Sequence, residues 1–393
     1  MPGPLDGIRV FDLTMAQVGP WSTQNLGALG ADVMHIEQGG VDESGLGGAQ
    51  TIMSMRGMSP LYIGWNMNKR GLFLDLKSQD GQEFAHRLLA TCDVFVNNMR
   101  PGVPDRLGVG YEAVAAINPR IVYCTITGWG ESGPMAPMQG ADTQIQYYSG
   151  WASLNGPEGQ LSEVYRHFST LDGTTGNYAT QAILLALVAR ERTGRGQKIE
   201  INMLHALAAF QTSRLGSYAL TGEVPMPSGS AAIATAPDEA FQCADGRWLG
   251  VSVTSEDEWR RFCDAVKRPD LVEDAAYATN ILRVAHRHEL SATLAATFAE
   301  FPLQAWVNRF RHADVAWGAP LWFSELRHHE QVRANNALIE IETPWGEVTT
   351  GGPPWRFSDT PARWTRPPIP GEHTGEVMDE VERATAGNTE AVR

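Results

Sequence analysis

The sequence predicts an α/β protein with a Rossmann-like large domain and a smaller α+β domain. Three observations support this fold class. Short segments rich in β-forming residues alternate with amphipathic, helix-like segments through the first half of the chain. The chain has 393 residues, which is enough for two domains at roughly 100–200 residues each. Residues 222–235, rich in glycine, proline, serine and alanine, then separate this pattern from a different one.

The N-terminal segment has the pattern of a β-α-β unit. The apolar run IRVFDL at 8–13 predicts a strand, QNLGALGA at 24–31 a helical turn, and DVMHIEQ at 32–38 a second strand. Strands that are joined through a helix run parallel, because the crossover returns the chain to the same end of the sheet. This unit therefore predicts a parallel sheet.

The same alternation continues along the chain. Further strands are predicted at 71–76, 93–98, 121–129 and 197–204, and helices at 80–92, 111–117, 177–192 and 205–220. Such a pattern is typical of a doubly wound sheet with helices on both faces. Later segments predict a strand at 245–253, a helix at 256–266, a hairpin at 338–352 and a helix close to the C-terminus.

Composition argues against several classes of protein. The net charge is −14 and no basic stripe is present, so nucleic acid is not an expected partner. The four cysteines have no CxxC spacing, so we expect reduced thiols and a cytoplasmic protein. Neither a secretory leader nor an apolar run of about 18 residues is found, so no membrane association is predicted.

Three further motifs are too weak to define a site. The glycine-rich stretch at 39–49 lacks the spacing of a phosphate loop, and we interpret it as a surface loop. HRHE at 286–289 and HHE at 328–330 have no third ligand at a metal-binding spacing, so we predict solvated helix faces and no metal. The absence of GxSxG disfavours a serine hydrolase.

One carboxylate, Asp172, precedes a strongly helical segment in HFSTLDGTTGNYATQ (167–181). An aspartate followed by small residues and a helix is typical of an N-cap. The same place also suits a reactive carboxylate, because a helix N-terminus stabilises negative charge and nearby glycines let a substrate approach closely. The local sequence leaves both interpretations open.

Several blocks together resemble one family, the class III CoA-transferases, which include formyl-CoA and carnitine CoA-transferases and the related α-methylacyl-CoA racemase. The first blocks are PLDGIRVFDLTMAQVGPWSTQNLGALGADVMHIE (4–37), NMNKRGLFLDLKSQDGQ (66–82), NNMRPGVPDRLGVGYEAVAAINPRIVYCTITGWGESGP (97–134) and ADTQIQYYSG (141–150). The Asp172 segment with TGRGQ, VRANNALIEIE and IPGEHTGEV follow in the family's order. The resemblance covers nearly the whole chain.

This resemblance implies that Asp172 is the nucleophile of a CoA-transferase. Counted back from TGRGQ, Asp172 matches the family's catalytic aspartate. The carboxylate would attack an acyl-CoA, pass through an aspartyl anhydride and an aspartyl-CoA thioester, and deliver CoA to a carboxylic acid, with succinyl-CoA a possible donor. Gln17 matches a glutamine that lies beside the nucleophile in the family, although it would equally suit a turn.

Coenzyme A is expected as part of the substrate, as a CoA thioester, and no permanently bound cofactor is implied. By the same resemblance Lys77 and Arg106 match residues that contact CoA, and Arg100 is a further candidate. Each of the three would alternatively be a surface cation. Gln38 stands where relatives often carry a basic residue, which leaves one phosphate contact in question.

The family architecture implies an interlocked dimer of ring-shaped chains with the active site at the dimer interface. On that pattern residues 1–210 and 330–393 form the large α/β domain, 211–224 a linker, and 225–329 the small domain. A homodimer is expected, and a heteromer with a paralogous chain remains an alternative. The other partners would be an acyl-CoA and a carboxylic acid.

Two departures bear on the reaction. Where the racemase branch has a histidine, this chain reads Gly140-Ala141-Asp142, and Glu256 near the second racemase position cannot complete a proton relay alone. The glycine-rich loop of formyl-CoA transferase is replaced by SGSAAIATAPDEAF at 228–241. Racemase activity is therefore disfavoured, but a racemase, a non-catalytic subunit and a nicotinamide-dependent dehydrogenase remain rival hypotheses.

The acceptor acid is not specified by the sequence. Three aromatic residues after the GAD segment could line a pocket for a bulky acid, and we favour the alternative that they pack in the core. These residues are Tyr147, Tyr148 and Trp151.

Overall fold

The computed structural model of the protein describes residues 2–37, 59–160, 167 and 169–391. Gln38 and the glycine-rich segment 39–49 lie outside these residues. The chain forms two compact units. The first comprises the described residues of 1–151, 166–220 and 330–393, and the second those of 152–165 and 221–329.

We number the described elements in chain order. The strands are β1 Arg9–Leu13, β2 Asp32–Glu37, β3 Lys69–Phe73, β4 Val94–Asn97, β5 Val122–Thr127, β6 Gln197–Asn202, β7 Asp238–Gln242, β8 Trp248–Ser252, β9 Ala316–Gly318, β10 Leu338–Thr343 and β11 Gly346–Gly351. The helices of the first unit are α1 Val18–Ala28, α2 Pro60–Trp65, α3 Gln79–Leu89, α4 Val103–Arg106, α5 Tyr111–Ile117, α6 Asp142–Tyr148, α7 Thr170–Thr193, α8 Met203–Phe210 and α9 Thr212–Thr221.

The remaining helices follow along the chain. They are α10 Glu256–Ala265, α11 Asp270–Glu273, α12 Asn280–Ala285, α13 Arg287–Phe298, α14 Leu303–Ala313, α15 Phe323–Leu326, α16 Glu330–Ala334 and α17 Thr374–Ala391. No helix in the described part of the chain is long and apolar enough to cross a membrane.

The first unit is built on a six-stranded parallel sheet in the order β3-β2-β1-β4-β5-β6. The predicted doubly wound parallel sheet is therefore confirmed. The strand order reverses between β1 and β4: the chain leaves β1 towards β2 and β3 on one side, and it continues from β4 to β5 and β6 on the other. Ligands of such sheets bind beyond the carboxyl ends of the strands at this reversal. The topology alone therefore predicts where the site lies.

Alternating residues of the strands build one core on each face of the sheet. On one face Phe11, Phe95 and Tyr123 stack in a row, with ring centroids 5.4 and 4.5 Å apart, beneath α3 and α17. On the other face the valines of β1, β2, β4 and β5 pack against α1 and α7. Gly176 of α7 allows this contact, because a Cβ there would lie 2.7 Å from the Val18 carbonyl oxygen.

The second unit has a three-stranded antiparallel sheet in the order β7-β8-β9, packed with helices. Its fully buried Arg283 donates to the Glu256 carboxylate at 2.7 Å and to the Ala236 carbonyl at 2.8 Å. Glu256 therefore serves as the counter-ion of a buried arginine.

The structure corrects several boundaries and one packing prediction. A helix, α9, occupies most of the predicted linker 211–224, because glycine and proline become frequent only from residue 222. The described part of 152–165 groups with the second unit, through bonds such as Gly159 N–H to the Pro227 carbonyl at 3.0 Å. The preference for core packing was wrong for Tyr147 and Tyr148, which are exposed on α6. Trp151 is half-buried beside an apolar cluster.

A buried charge network joins three strands at the edge where the site lies. Asp12 of β1 is fully buried and pairs with Lys69 of β3 at 3.0 Å and His35 of β2 at 3.0 Å. Burial by itself raises the pKa of Asp12, but the charges of Lys69 and His35 outweigh it and hold that pKa well below its usual range. Burial lowers the pKa of Lys69, and the charge of Asp12 opposes that shift, so each ion depends on the other for its charge in the core.

Replacing Lys69 by methionine should leave the buried charge of Asp12 with His35 as its one remaining ion-pair partner among the described residues. We expect Lys69→Met to lower the free energy of unfolding by about 3–5 kcal/mol in urea titrations. The control is Arg260→Met, which removes an exposed pair with Asp257 and should cost less than about 1 kcal/mol. Equal losses in the two variants would contradict the assigned role of Lys69.

Candidate active site

A cavity of about 320 Å³ opens at the carboxyl ends of the central strands. Ala16 and Gln17 reach it from the turn after β1, Asn98 from the end of β4, and Thr127 from the end of β5. The cavity therefore lies at the reversal of strand order, where the topology predicts a ligand. The other lining residues are Val18, Leu61, Ile126, Gly128, Gly140, Ala141, Asp142, Thr143, Ser169, Asp172 and Met203.

Asp172 lies in the first turn of α7 and lines this cavity. The N-cap of α7 is Ser169, three residues earlier, so the interpretation of Asp172 as an N-cap is wrong. The helix begins at Thr170, before the predicted start at 177, because a side chain of another helix accepts hydrogen bonds from the backbone N–H groups of its first turn. The carboxylate is half-buried and faces open space that a substrate could occupy.

The residue that accepts these hydrogen bonds is Asp142, the first residue of α6. Its Oδ2 accepts hydrogen bonds from the backbone N–H groups of Leu171 at 3.1 Å and Asp172 at 3.4 Å. Gln146, one turn later, donates to the other Asp142 oxygen at 2.6 Å and also bonds both backbone groups of His167. Two side chains of α6 thus fix the backbone that leads into Asp172 and satisfy N–H groups that the helix leaves unpaired.

The same arrangement changes the charge behaviour of Asp172. Burial, together with the negative charge of nearby Asp142, raises the pKa of Asp172 to about 7. The sequence had suggested instead that the helix N-terminus would favour the charged form. Desolvation and like-charge repulsion outweigh that effect here, so the ionised carboxylate is unusually basic and poorly hydrated.

Gln17 shares the cavity with Asp172, although the two residues lie far apart in the sequence. It is the N-cap residue of α1 and is only 9% exposed. Its Oε1 accepts a hydrogen bond from the Ser169 hydroxyl. The structure therefore brings together the two residues that the resemblance singled out as catalytic.

The three candidate CoA-binding cations do not line the cavity. Lys77 lies between β3 and α3, Arg100 follows β4, and Arg106 ends α4, so all three belong to the carboxyl edge of the sheet. All three are exposed, and none pairs with a carboxylate among the described residues. They remain available to an anionic ligand.

The GAD segment builds one wall of the cavity without the histidine of the racemase branch. Gly140 packs tightly on Gly128 and Trp129, since a Cβ on Gly140 would lie 2.8 Å from the indole nitrogen. Ala141 lines the cavity where the racemase branch has a histidine. No histidine is found among the described cavity residues, and Glu256 is bound to Arg283.

Three residues that line this site and hold its backbone or side chains in place were not predicted from the sequence. Asp142 was noted only within a racemase motif, and Ser169 and Asn98 were not singled out. The i,i+4 pair Asp142 and Gln146 is visible in the sequence, but its partners in α7 are not. Contacts between helices distant in sequence decide these roles, and no local pattern signals them.

Comparisons with known proteins identify the family. Residues 5–374 match the model of CoA-transferase family III. The chain is 32% identical to the succinyl-CoA:glutarate CoA-transferase of Mus musculus, over 98% of this chain and 88% of the relative. It is also 32% identical to the succinate–glutarate CoA-transferase of Agrobacterium fabrum, over 96% of each chain. A CaiB/BaiF family structure from Brucella suis matches with a TM-score of 0.87 at 28% identity, over 97% of this chain and 100% of that one.

The chain therefore belongs to CoA-transferase family III, as its sequence blocks had indicated. It is a CoA-transferase, and its substrates are CoA thioesters and carboxylic acids.

The raised pKa of Asp172 predicts a pH-dependent stability cost. The folded-state pKa of about 7 lies above the ordinary 3.8, so the cost is absent below the lower value and complete above the higher one. We expect Asp172→Asn to raise the free energy of unfolding by about 1–3 kcal/mol near pH 8, after allowance for partial exposure, and to change it little near pH 4. Urea titrations at both pH values measure this difference.

Asp80 provides the matched control, because it is an exposed aspartate in the first turn of α3. There the helix N-terminus stabilises the carboxylate, so Asp80→Asn should lower stability by about 0.3–1 kcal/mol at the higher pH. If Asp172→Asn behaved like Asp80→Asn, the raised pKa would be refuted.

Proposed function

We propose that the protein moves CoA from an acyl-CoA to a carboxylic acid through covalent intermediates on Asp172. The observation that carries this proposal is the position of Asp172, a basic, poorly hydrated carboxylate at a cavity at the sheet's ligand-binding edge. Such a carboxylate is a better nucleophile than one that is fully hydrated and strongly acidic.

The reaction divides into four balanced transfers. The Asp172 carboxylate attacks the acyl-CoA carbonyl, giving an acyl-aspartyl anhydride and CoA thiolate. The thiolate attacks the aspartyl carbonyl, releasing the donor acid and leaving an aspartyl-CoA thioester. The acceptor carboxylate then attacks this thioester to form a second anhydride. The released thiolate finally attacks the acceptor carbonyl, giving the new acyl-CoA and regenerating the Asp172 carboxylate.

Hydrogen-bond donors around Asp172 support these transfers. Each tetrahedral intermediate carries an oxyanion, and donors aimed at that oxygen lower the barrier. The amide of Gln17 lies at the cavity and supplies one such donor. Asp142 occupies the first backbone N–H groups of α7 and so keeps the Asp172 backbone in place while the side chain reacts.

Lys77, Arg100 and Arg106 are assigned to the phosphate groups of CoA. All three follow strands at the same edge of the sheet as the cavity and lack a carboxylate partner among the described residues. Cations of this kind bind phosphate oxygens through charge-assisted hydrogen bonds. Succinyl-CoA is the first donor to test, because two similar proteins are named for succinate or succinyl-CoA.

We further propose a cytoplasmic homodimer of interlocked, ring-shaped chains, an arrangement that the resemblance implies. On this proposal residues 1–210 with 330–393 form the catalytic large domain, subject to the corrected boundaries given above. A heteromer in which this chain is silent predicts instead that Asp172 variants of the complex stay active.

Chemical trapping tests the covalent route. Incubation with succinyl-CoA followed by hydroxylamine should convert Asp172 to its hydroxamate, because hydroxylamine attacks both the anhydride and the thioester. Peptide mass spectrometry should locate this modification at Asp172 and find none in Asp172→Ala. Asp80→Ala is the control and should still be modified at Asp172. Continued CoA transfer by Asp172→Ala would refute the proposal.

The assignment of the CoA phosphates makes a separate prediction. Lys77→Ala and Arg106→Ala should each raise KM for succinyl-CoA, since a charged hydrogen bond contributes about 1.5–3 kcal/mol, or roughly ten- to hundredfold. Neither variant should affect a phosphate-free succinyl thioester of N-acetylcysteamine. Arg195→Ala, an exposed cation before the amino end of β6, is the control. If Lys77→Ala and Arg106→Ala had the same KM for succinyl-CoA as the control variant, the assignment of these cations to the CoA phosphates would be wrong.

A further inference from the structure

Two residues in the left-handed backbone region line the cavity, and neither is glycine. Ala16 has φ of +63° and directly precedes Gln17, while Ser169 has φ of +53° and caps α7 just before Asp172. This conformation costs about 1–2 kcal/mol for an L-residue, and residues held in it cluster at functional sites. The surrounding structure must therefore hold both turns in place.

The turn that carries Gln17 is fixed on its N-terminal side. The side chain of Asn98 accepts from the Met15 N–H at 2.9 Å and donates to the Met15 carbonyl at 2.7 Å. The Thr14 hydroxyl donates to the buried carboxylate of Asp12 at 2.5 Å. Because the backbone on both sides of Met15 is held in this way, the orientation of the Gln17 amide depends on the contacts of its own side chain.

Ser169 supplies that contact. Its hydroxyl donates a hydrogen bond to Oε1, the carbonyl oxygen of the Gln17 side-chain amide. Among the described residues no acceptor pairs with Nε2 of Gln17, and the open space beside this residue is the cavity. Because Gln17 and Asp172 line the same cavity, a flipped amide would present its oxygen to a space that already holds a negative charge, which is unfavourable. The observed orientation instead leaves a hydrogen-bond donor for that charge.

We propose that Ser169 is a positioning residue that orients the amide of Gln17, so that its Nε2 group donates to the oxyanion formed at Asp172. This inference rests on the proposed function. Ser169 does not touch the reacting atoms itself, and it acts through Gln17. Its hydrogen bond also connects the turn that carries Gln17 to the start of the helix that carries Asp172.

Two substitutions at Ser169 distinguish the effect of its hydroxyl from the effect of its left-handed backbone conformation. Ser169→Ala and Ser169→Gly both remove the hydroxyl, but only glycine relieves the left-handed backbone. We expect both to lower kcat about five- to twentyfold for exchange between succinyl-CoA and succinate, with KM unchanged, as the loss of one positioned hydrogen bond predicts. Ser132→Ala, at an exposed serine outside the cavity, is the control. Wild-type kcat in both variants, or a loss in Ser169→Ala alone, would overturn the inference.

A double-mutant cycle with Gln17→Ala tests whether Ser169 acts through Gln17. In that background Ser169→Ala should have no further effect on kcat, and an undiminished loss would overturn the inference. Hydroxylamine trapping keeps this test distinct from that of the proposed function. Absence of the Asp172 adduct in the wild type removes both proposals, whereas adduct formation at the wild-type rate in Ser169→Ala removes only the role of Ser169.

Discussion

The buried carboxylate of Asp12 organises the edge of the sheet on which the site is built. It binds His35 of β2 and Lys69 of β3, the next two strands on one side of β1, and accepts a hydrogen bond from Thr23 of α1. A fully buried charge is costly unless it is paired, so these elements must converge at one point. The turn that leaves β1 therefore begins from a fixed position, and it delivers Gln17 to the cavity at the reversal of strand order.

Asp172 shows how one environment serves both positioning and chemistry. Asp142 accepts the N–H groups at the start of α7, and its charge together with burial raises the pKa of Asp172. The carboxylate is thereby held rigidly and made more basic, at the expense of stability when it is ionised. The cavity thus holds an unfavourably placed charge and two left-handed non-glycine residues, Ala16 and Ser169, whereas the buried charge of Asp12 is paired.

The sequence predicted the fold through periodicity, and it predicted the site through resemblance. Short apolar runs located the strands of the parallel sheet to within a few residues, because buried strands require such runs. Gln17 and Asp172 were paired only through the family's blocks, since nothing local connects them. The start of α7 and the exposure of Tyr148 were mispredicted, because tertiary contacts or their absence decide both of them. The role proposed for Ser169 depends on its backbone conformation and its contact with Gln17, and the sequence reveals neither of them.

The transfer of oxygen tests the covalent role of Asp172 most directly. In the proposed sequence the bridging oxygen of the second anhydride comes from the acceptor acid, and it stays on Asp172 when the CoA thiolate removes the acceptor acyl group. Turnover of succinyl-CoA with ¹⁸O-labelled succinate should therefore place heavy oxygen in the peptide that contains Asp172, as mass spectrometry would show. Exchange of CoA into labelled succinate without any label in Asp172 would contradict the account.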